Sequence, residues 1–163
     1  MKKTIYDIEV QNALGHLHNL EAYQGKVLLI VNVASRCGFT KQYATLEQWY
    51  RKYQAKGLEV LAFPCNQFAK QEPDSNEQIQ SFAKSCFATT FPIFAKVEVN
   101  GQHQAPLYQY LQTHLKQKLW WKNIPWNFTK YLVNQKGEVL YRFWPIVPSW
   151  YLEKKIQQLL TVS

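Results

Sequence analysis

Residues 27–40 read VLLIVNVASRCGFT, an unbroken apolar run that gives way to small and polar residues and then to a cysteine. The run is too short to span a bilayer and fits a strand buried on both faces, the kind a parallel sheet contains. Asn32, Ala34 and Ser35 interrupt it, Arg36-Cys37-Gly38 follows, and a helical pattern begins almost at once. A cysteine where a buried strand turns into a helix lies near the positive end of the helix dipole, a place that favours the thiolate. The chemistry of the chain then depends on whether its other residues make Cys37 reactive or merely bury it.

Working outward, Tyr6, Ile8 and Val10 alternate weakly and the chain turns through Asn12 and Gly15, which fits short strands or an irregular lead-in. From Tyr43 to Lys56 the apolar positions Leu46, Trp49, Tyr50 and Tyr53 follow helical spacing, and Gly57 closes the helix. Leu58 to Phe63 is a second buried strand, so strand, helix and strand form a parallel unit. Pro64 ends it, and the polar loop CNQFAKQEPD leaves the carboxyl end, where such sheets carry their chemistry. Ser75 to Gln78 reads as a capping box opening a helix with Ile79, Phe82, Ala83 and Cys86 on one face. An extended piece is expected from Phe91-Pro92 through Val97 and Val99 to the Asn100-Gly101 turn. Pro106 opens the next helix, Lys130 to Val133 and Glu138 to Phe143 form a hairpin at Gly137, and Ser149 to Leu160 is an amphipathic closing helix. This order predicts one α/β domain over 1–163, with a mixed central sheet flanked by helices.

Bulk properties narrow the function. A length of 163 residues with 47% hydrophobic and 15% aromatic residues supports a dense core rather than disorder. Nineteen Lys and Arg against 11 Asp and Glu leave a formal charge of +8, yet the basic residues are scattered and no nucleic-acid motif lies between them. A basic solvated surface is therefore expected, without nucleic acid as partner. Three cysteines, Cys37, Cys65 and Cys86, show neither CxxC nor metal-ligand spacing, and no segment reads as a signal peptide or membrane span. A protein of the cytoplasm, with free thiols, no metal or other cofactor and no stable membrane insertion, is expected.

A reactive thiol needs either a histidine base or fixed hydrogen-bond donors. His16, His18, His103 and His114 fall away from the loops that leave the strands. Gln71, in the loop after the second strand, and Trp126-Asn127, just before the hairpin, offer amide and indole donors that do not titrate. Each alone has a plain explanation, a solvated glutamine and a core tryptophan.

Together, NVASRCGFT, FPCNQFAKQEP and WNFTKYLV closely resemble the three motif blocks of the glutathione peroxidase family in its cysteine-containing form, and the resemblance covers essentially the whole chain. It implies a thioredoxin-like three-layer fold and the reduction of hydrogen peroxide and organic or lipid hydroperoxides, with thioredoxin or glutathione as reductant. It places the peroxide-attacking role on Cys37 and the donor roles on Gln71, Trp126 and Asn127. Cys65 belongs to the second block and is expected to be a buried structural thiol.

Many thioredoxin-using members of that family carry a resolving cysteine where this chain has Ala83, three residues before Cys86. Cys86 thus either resolves the oxidised Cys37 or packs as a small hydrophobe beside Phe82. Two departures fall in the Gln71 loop, where Ala69 and Asp74 stand at positions that are often glycine. The segment from Leu115 to Trp126 lacks the insertion of tetrameric members, so a monomer or small homo-oligomer is expected. Trp120 and Trp121 are either an apolar rim for bulky hydroperoxides or core packing. Arg36 is expected to face solvent. The alternative to a detoxifying enzyme is a peroxide sensor that passes its oxidation to a partner protein, and a catalytically silent scaffold is the third.

Overall fold

In the computed structural model, which describes residues 2–162, the two apolar runs form the centre of a four-stranded sheet. Ahead of it, β1 (Glu9–Gln11) and β2 (Leu17–Asn19) pair as a separate antiparallel ribbon. Strands β3 (Val27–Val33) and β4 (Leu58–Pro64) then run parallel, from Val27 opposite Leu58 to Val33 opposite Pro64, with every residue of both buried. Helix α1 (Gln42–Tyr53) joins them and ends in a 3₁₀ turn at Gly57, whose φ of 107° is open to glycine without strain. Strand β5 (Lys130–Val133) lies antiparallel to β3, and β6 (Val139–Phe143) antiparallel to β5, giving the order β4-β3-β5-β6.

The period-two alternation of β3 divides the core into two layers. Val27, Leu29, Val31 and Val33 join α1 and two further helices, α2 (Asn76–Phe87) and α4 (Ser149–Leu160), through Ile79, Ala83, Leu152 and Ile156. Leu28 and Ile30 face the other way, onto α3 (Pro106–His114) through Leu107, Tyr108 and Leu111, and onto Ile5 and Ile8 of the lead-in. The expected three-layer α/β arrangement with a mixed sheet is therefore present.

The extended piece expected from Phe91 to Val99 is not a strand. Pro92 has no N–H to give a ladder, and the segment makes only isolated bridges at Ile93 and Phe94. It lies instead along the outer edge of β4: Ala62 N–H donates to Pro92 O (3.1 Å), Phe94 N–H to Ala62 O (2.9 Å) and Val97 N–H to Pro64 O (2.8 Å). The opposite edge is covered in the same spirit. Lys116 N–H donates to Val139 O (2.9 Å) and Arg142 N–H to the Gln117 side chain (2.8 Å).

Trp120 and Trp121 are not core residues, being 107% and 65% exposed. The buried Arg142 guanidinium explains how this is tolerated. It donates to the carbonyls of Trp121 (2.8 Å), Lys122 (2.9 Å) and Asn123 (3.1 Å), holding the loop by its backbone while the indoles stand in solvent.

The capping box is formed as its sequence requires: Ser75 Oγ accepts from Gln78 N–H (3.2 Å), and Gln78 Oε1 accepts from Ser75 N–H (3.0 Å). Ser75→Ala removes the first of these bonds, and urea unfolding is expected to show a loss of about 0.5–2 kcal/mol. A change inside experimental error would mean that α2 is held by its buried face alone.

Candidate active site

The register of the sheet decides where chemistry collects. Because β3 and β4 are parallel and end together, their following loops leave side by side, and β5 begins at the same end, with Lys130 opposite Val31. Three segments thus meet: the turn from 34 to 41, the loop from 65 to 74 and the approach to β5 from 124 to 129. Asn32, fully buried near the end of β3, fixes the third segment. Its Nδ2 donates to Trp126 O (3.1 Å), and its carbonyl accepts Phe128 N–H (2.6 Å).

Cys37 is partly buried in the turn between β3 and α1, ahead of the helix start at Gln42. The intervening residues form tight turns, with Thr40 N–H bonded to Cys37 O (3.0 Å) and Gln42 N–H to Phe39 O (2.8 Å). The thiol therefore meets a local amide rather than a helix end: Phe39 N–H donates to Cys37 Sγ at 3.3 Å, and Cys37 N–H donates to Thr40 Oγ1 at 2.9 Å. A donor aimed at sulfur stabilises negative charge there.

Gln71 is bound to this turn through its backbone, its carbonyl accepting Arg36 N–H at 3.0 Å. Its side chain is oriented from the third segment, because Asn127 Nδ2 donates to Gln71 Oε1 at 2.9 Å. With Oε1 engaged, the amide nitrogen is the end of Gln71 left to donate. Asn127 is fully buried, while Trp126 is partly buried and packs its ring against Phe68 with centroids 5.6 Å apart. The arrangement brings Cys37, Gln71, Trp126 and Asn127 to one end of the sheet. Arg36 is exposed as expected, yet it pairs with Asp74 at 2.8 Å, so the residue standing where glycine is common ties the second loop to the first.

Cys86 is not on the buried face of α2, where only Ile79 and Ala83 are buried; it is exposed and free. Packing beside Phe82 as a core hydrophobe is thereby overturned. Cys65 is fully buried, and burial pushes its thiol up, as suits a structural role. The histidines are all exposed and none belongs to these loops.

Backbone strain marks the same place. Outside glycine, φ is positive at Ala69 (53°), Lys70 (52°), Ala88 (51°) and Phe128 (63°), and three of these four flank Gln71 or Asn127. Each costs about 1–2 kcal/mol in a residue with a Cβ, and the cost is borne where the donors must be aimed.

One residue was missed by the sequence reading. Glu72, expected only as part of a polar loop, is fully buried. Its Oε1 accepts Ser35 N–H at 3.2 Å, and its own N–H donates to Asn66 Oδ1 at 2.9 Å. With the Gln71–Arg36 bond it makes a two-rung clamp on the residues just before Cys37. Burial pushes its carboxyl up from 4.5 to about 7, against the Ser35 N–H bond, which pulls it down. Its Oε2, Ser35 Oγ, Asn32 Oδ1, Tyr43 Oη and Asn127 Oδ1 are all buried without a hydrogen-bond partner among the described residues. Unsatisfied polarity is thus concentrated around the site, where native structures spend it on function. The available sequence signal was position: a carboxylate directly beside Gln71 in a loop leaving a parallel strand.

Comparison with known proteins points one way. A family model described as glutathione peroxidase matches residues 5–112. A probable phospholipid hydroperoxide glutathione peroxidase of Citrus sinensis is 50% identical over 163 residues, covering 99% of this chain and 97% of that protein. The crystal structure of T. cruzi GPX1 is 40% identical and superposes with a TM-score of 0.79, covering 98% of this chain and 97% of that one. A thioredoxin family protein from Chlorobium tepidum, 11% identical with a TM-score of 0.67 over 94% of this chain and 92% of that one, shares the fold alone.

The buried Glu72 carboxyl gives a signed expectation. A group whose pKa is raised on folding binds more protons in the folded state between about 4.5 and about 7, so stability falls as pH rises through that window, by up to about 1.4 kcal/mol per pH unit. Glu72→Gln cannot titrate. The stability of the parent relative to this variant, measured by urea unfolding, is therefore expected to drop from pH 5 to pH 7.5, and a constant difference would refute the assignment.

Proposed function

The chain belongs to the glutathione peroxidase family, with its thioredoxin-like fold, and is a thiol peroxidase; we propose that Cys37 is the atom that accepts oxygen from its hydroperoxide substrate. The Cys37 thiolate attacks one peroxide oxygen, an S–O bond forms as the O–O bond breaks, and the departing oxygen takes a proton to leave as water or an alcohol. Sulfur is oxidised to the sulfenic acid and the substrate is reduced by two electrons. Negative charge spreads over both oxygens in the transition state. Gln71, Trp126 and Asn127 supply neutral donors for it, and Phe39 N–H steadies the sulfur before attack. The observation that carries this is the pair of bonds holding Gln71, Arg36 N–H to its carbonyl at 3.0 Å and Asn127 Nδ2 to its Oε1 at 2.9 Å, which aim a non-titrating donor from beside the Cys37 turn.

Turnover requires thiols. One thiol condenses with the sulfenic acid to give a disulfide and water, and a second reductant, a dithiol or a pair of monothiols, reduces that disulfide and is itself oxidised to a disulfide. Cys86, free and exposed on α2, is the candidate for the first thiol, and thioredoxin or glutathione for the second. A disulfide needs Cα atoms roughly 4.4–6.8 Å apart, which sets how closely Cys86 must approach Cys37 for an internal bond. Three free cysteines suit a reducing compartment such as the cytoplasm.

Peroxide consumption coupled to thioredoxin and its reductase, or to glutathione, tests the site. Cys37→Ser is expected to abolish turnover, and Gln71→Ala or Asn127→Ala to reduce it about 10²–10³-fold without unfolding the protein. Retained turnover in the Cys37 variant would end the proposal. For resolution, mass spectrometry after one equivalent of peroxide is expected to find Cys37 and Cys86 joined. A lasting sulfenic or sulfinic acid at Cys37 would remove Cys86 from the cycle and leave an external thiol in its place.

A further inference from the structure

On the α1 and α4 side of the sheet, next to the Cys37 turn but not containing the thiol, lies a cavity of about 540 Å³, within the size range of small-molecule sites. Phe39, Trp49, Trp144 and Leu152 form apolar walls. The charged residues lining it are Lys41 and Lys130, and no carboxylate is among them.

Lys130 is the unusual feature. It is 5% exposed, and its Nζ donates to two neutral acceptors, Gln42 Oε1 at 2.5 Å and Phe128 O at 2.8 Å. Those bonds explain how it ties β5 to α1, but an ammonium has three donors, and a buried cation ordinarily has a counter-charge. None of the ion pairs among the described residues includes it. Burial alone draws the amine down to about 7. A second positive feature borders the same cavity. Helix α4 starts at Ser149, which lines it, and the residue ahead is Pro148, whose side chain cannot cap the first-turn N–H groups.

We propose that this cavity binds an amphipathic monocarboxylate, an aliphatic chain of medium length ending in a carboxylate. The chain lies against Phe39, Trp49, Trp144 and Leu152, and the carboxylate faces Lys130 and the start of α4. A small inorganic anion would leave the apolar walls unused, and a neutral lipid would leave the buried amine uncompensated. The proposal is separable from the catalytic assignment: of its walls only Phe39 also serves the peroxide chemistry, and there through its backbone N–H rather than its ring.

Decanoate, decanol and acetate, each below any micellar concentration, are titrated into the protein while the tryptophan indole N–H signals are followed by NMR. Decanoate is expected to shift the Trp49 and Trp144 signals with an affinity about tenfold or more above that of decanol, and acetate to shift neither. Lys130→Met, which removes the charge and keeps the apolar stem, is expected to bring decanoate down to the affinity of decanol. Thr45→Trp, which fills the cavity from the partly exposed side of α1, is expected to abolish both. Equal binding of decanoate and decanol, shifts confined to the exposed Trp120 and Trp121, or undiminished decanoate binding in the Thr45 variant would each overturn the proposal. If Lys130→Met does not fold, the ligand comparison and the Thr45 variant decide it.

Discussion

The parallel pairing of β3 and β4 is the constraint from which the site follows. Val33 stands opposite Pro64, and Cys65 N–H continues the ladder to Val33 O at 3.1 Å, so the two chains leave the sheet at the same height. Only then can residues 71 and 72 reach residues 36 and 35. A shift of one residue would turn every side chain of β4 to the opposite layer, so the packing of both core layers enforces the placement of the loops. The geometry of the candidate site is a by-product of hydrophobic registry.

Much of the scaffold was legible because it is local. The apolar run of β3, the capping box at Ser75, Pro106 at the first position of α3 and the stripe of α4 each carry their own signal within a few residues, and each element appears close to where that signal puts it. What escaped depends on distant partners. Residues 91 to 99 look extended yet serve β4 only from its edge, because Pro92 cannot join a ladder. Trp120 and Trp121 have core-like composition, but Arg142, some twenty positions on, holds the loop by the carbonyls of residues 121 to 123 and leaves both indoles outside. Cys86 lies near the helical stripe of α2 without sharing its burial. Of the site, Cys37 stood out from its place after β3, whereas the loop residues Gln71 and Asn127 drew together through motif resemblance. Their contact with each other spans 56 positions and has no local trace.

The loops bear the stress that the sheet avoids. Left-handed backbone at Ala69, Lys70 and Phe128, a buried carboxyl at Glu72 and a buried amine at Lys130 all lie at the end of the sheet where β5 starts and the β3 and β4 loops emerge. These are unfavourable in isolation, and they persist because the two central strands around them are mostly apolar and paired in continuous register. Glu72 and Lys130 grip the two ends of one stretch, the first bonded to Ser35 and the second to Gln42. The polypeptide between them, residues 35 to 42, contains Cys37.

The covered edges of the sheet reach beyond this molecule. Residues 92 to 97 occupy the outer face of β4, and Lys116 and Gln117 do the same at β6, so few main-chain groups are offered to a stranger. A redox protein meets other chains repeatedly, some of them damaged and partly unfolded, and an open strand would template their addition. Cover along these stretches means that another chain docking there would have to be recognised by side chains rather than recruited as an added strand.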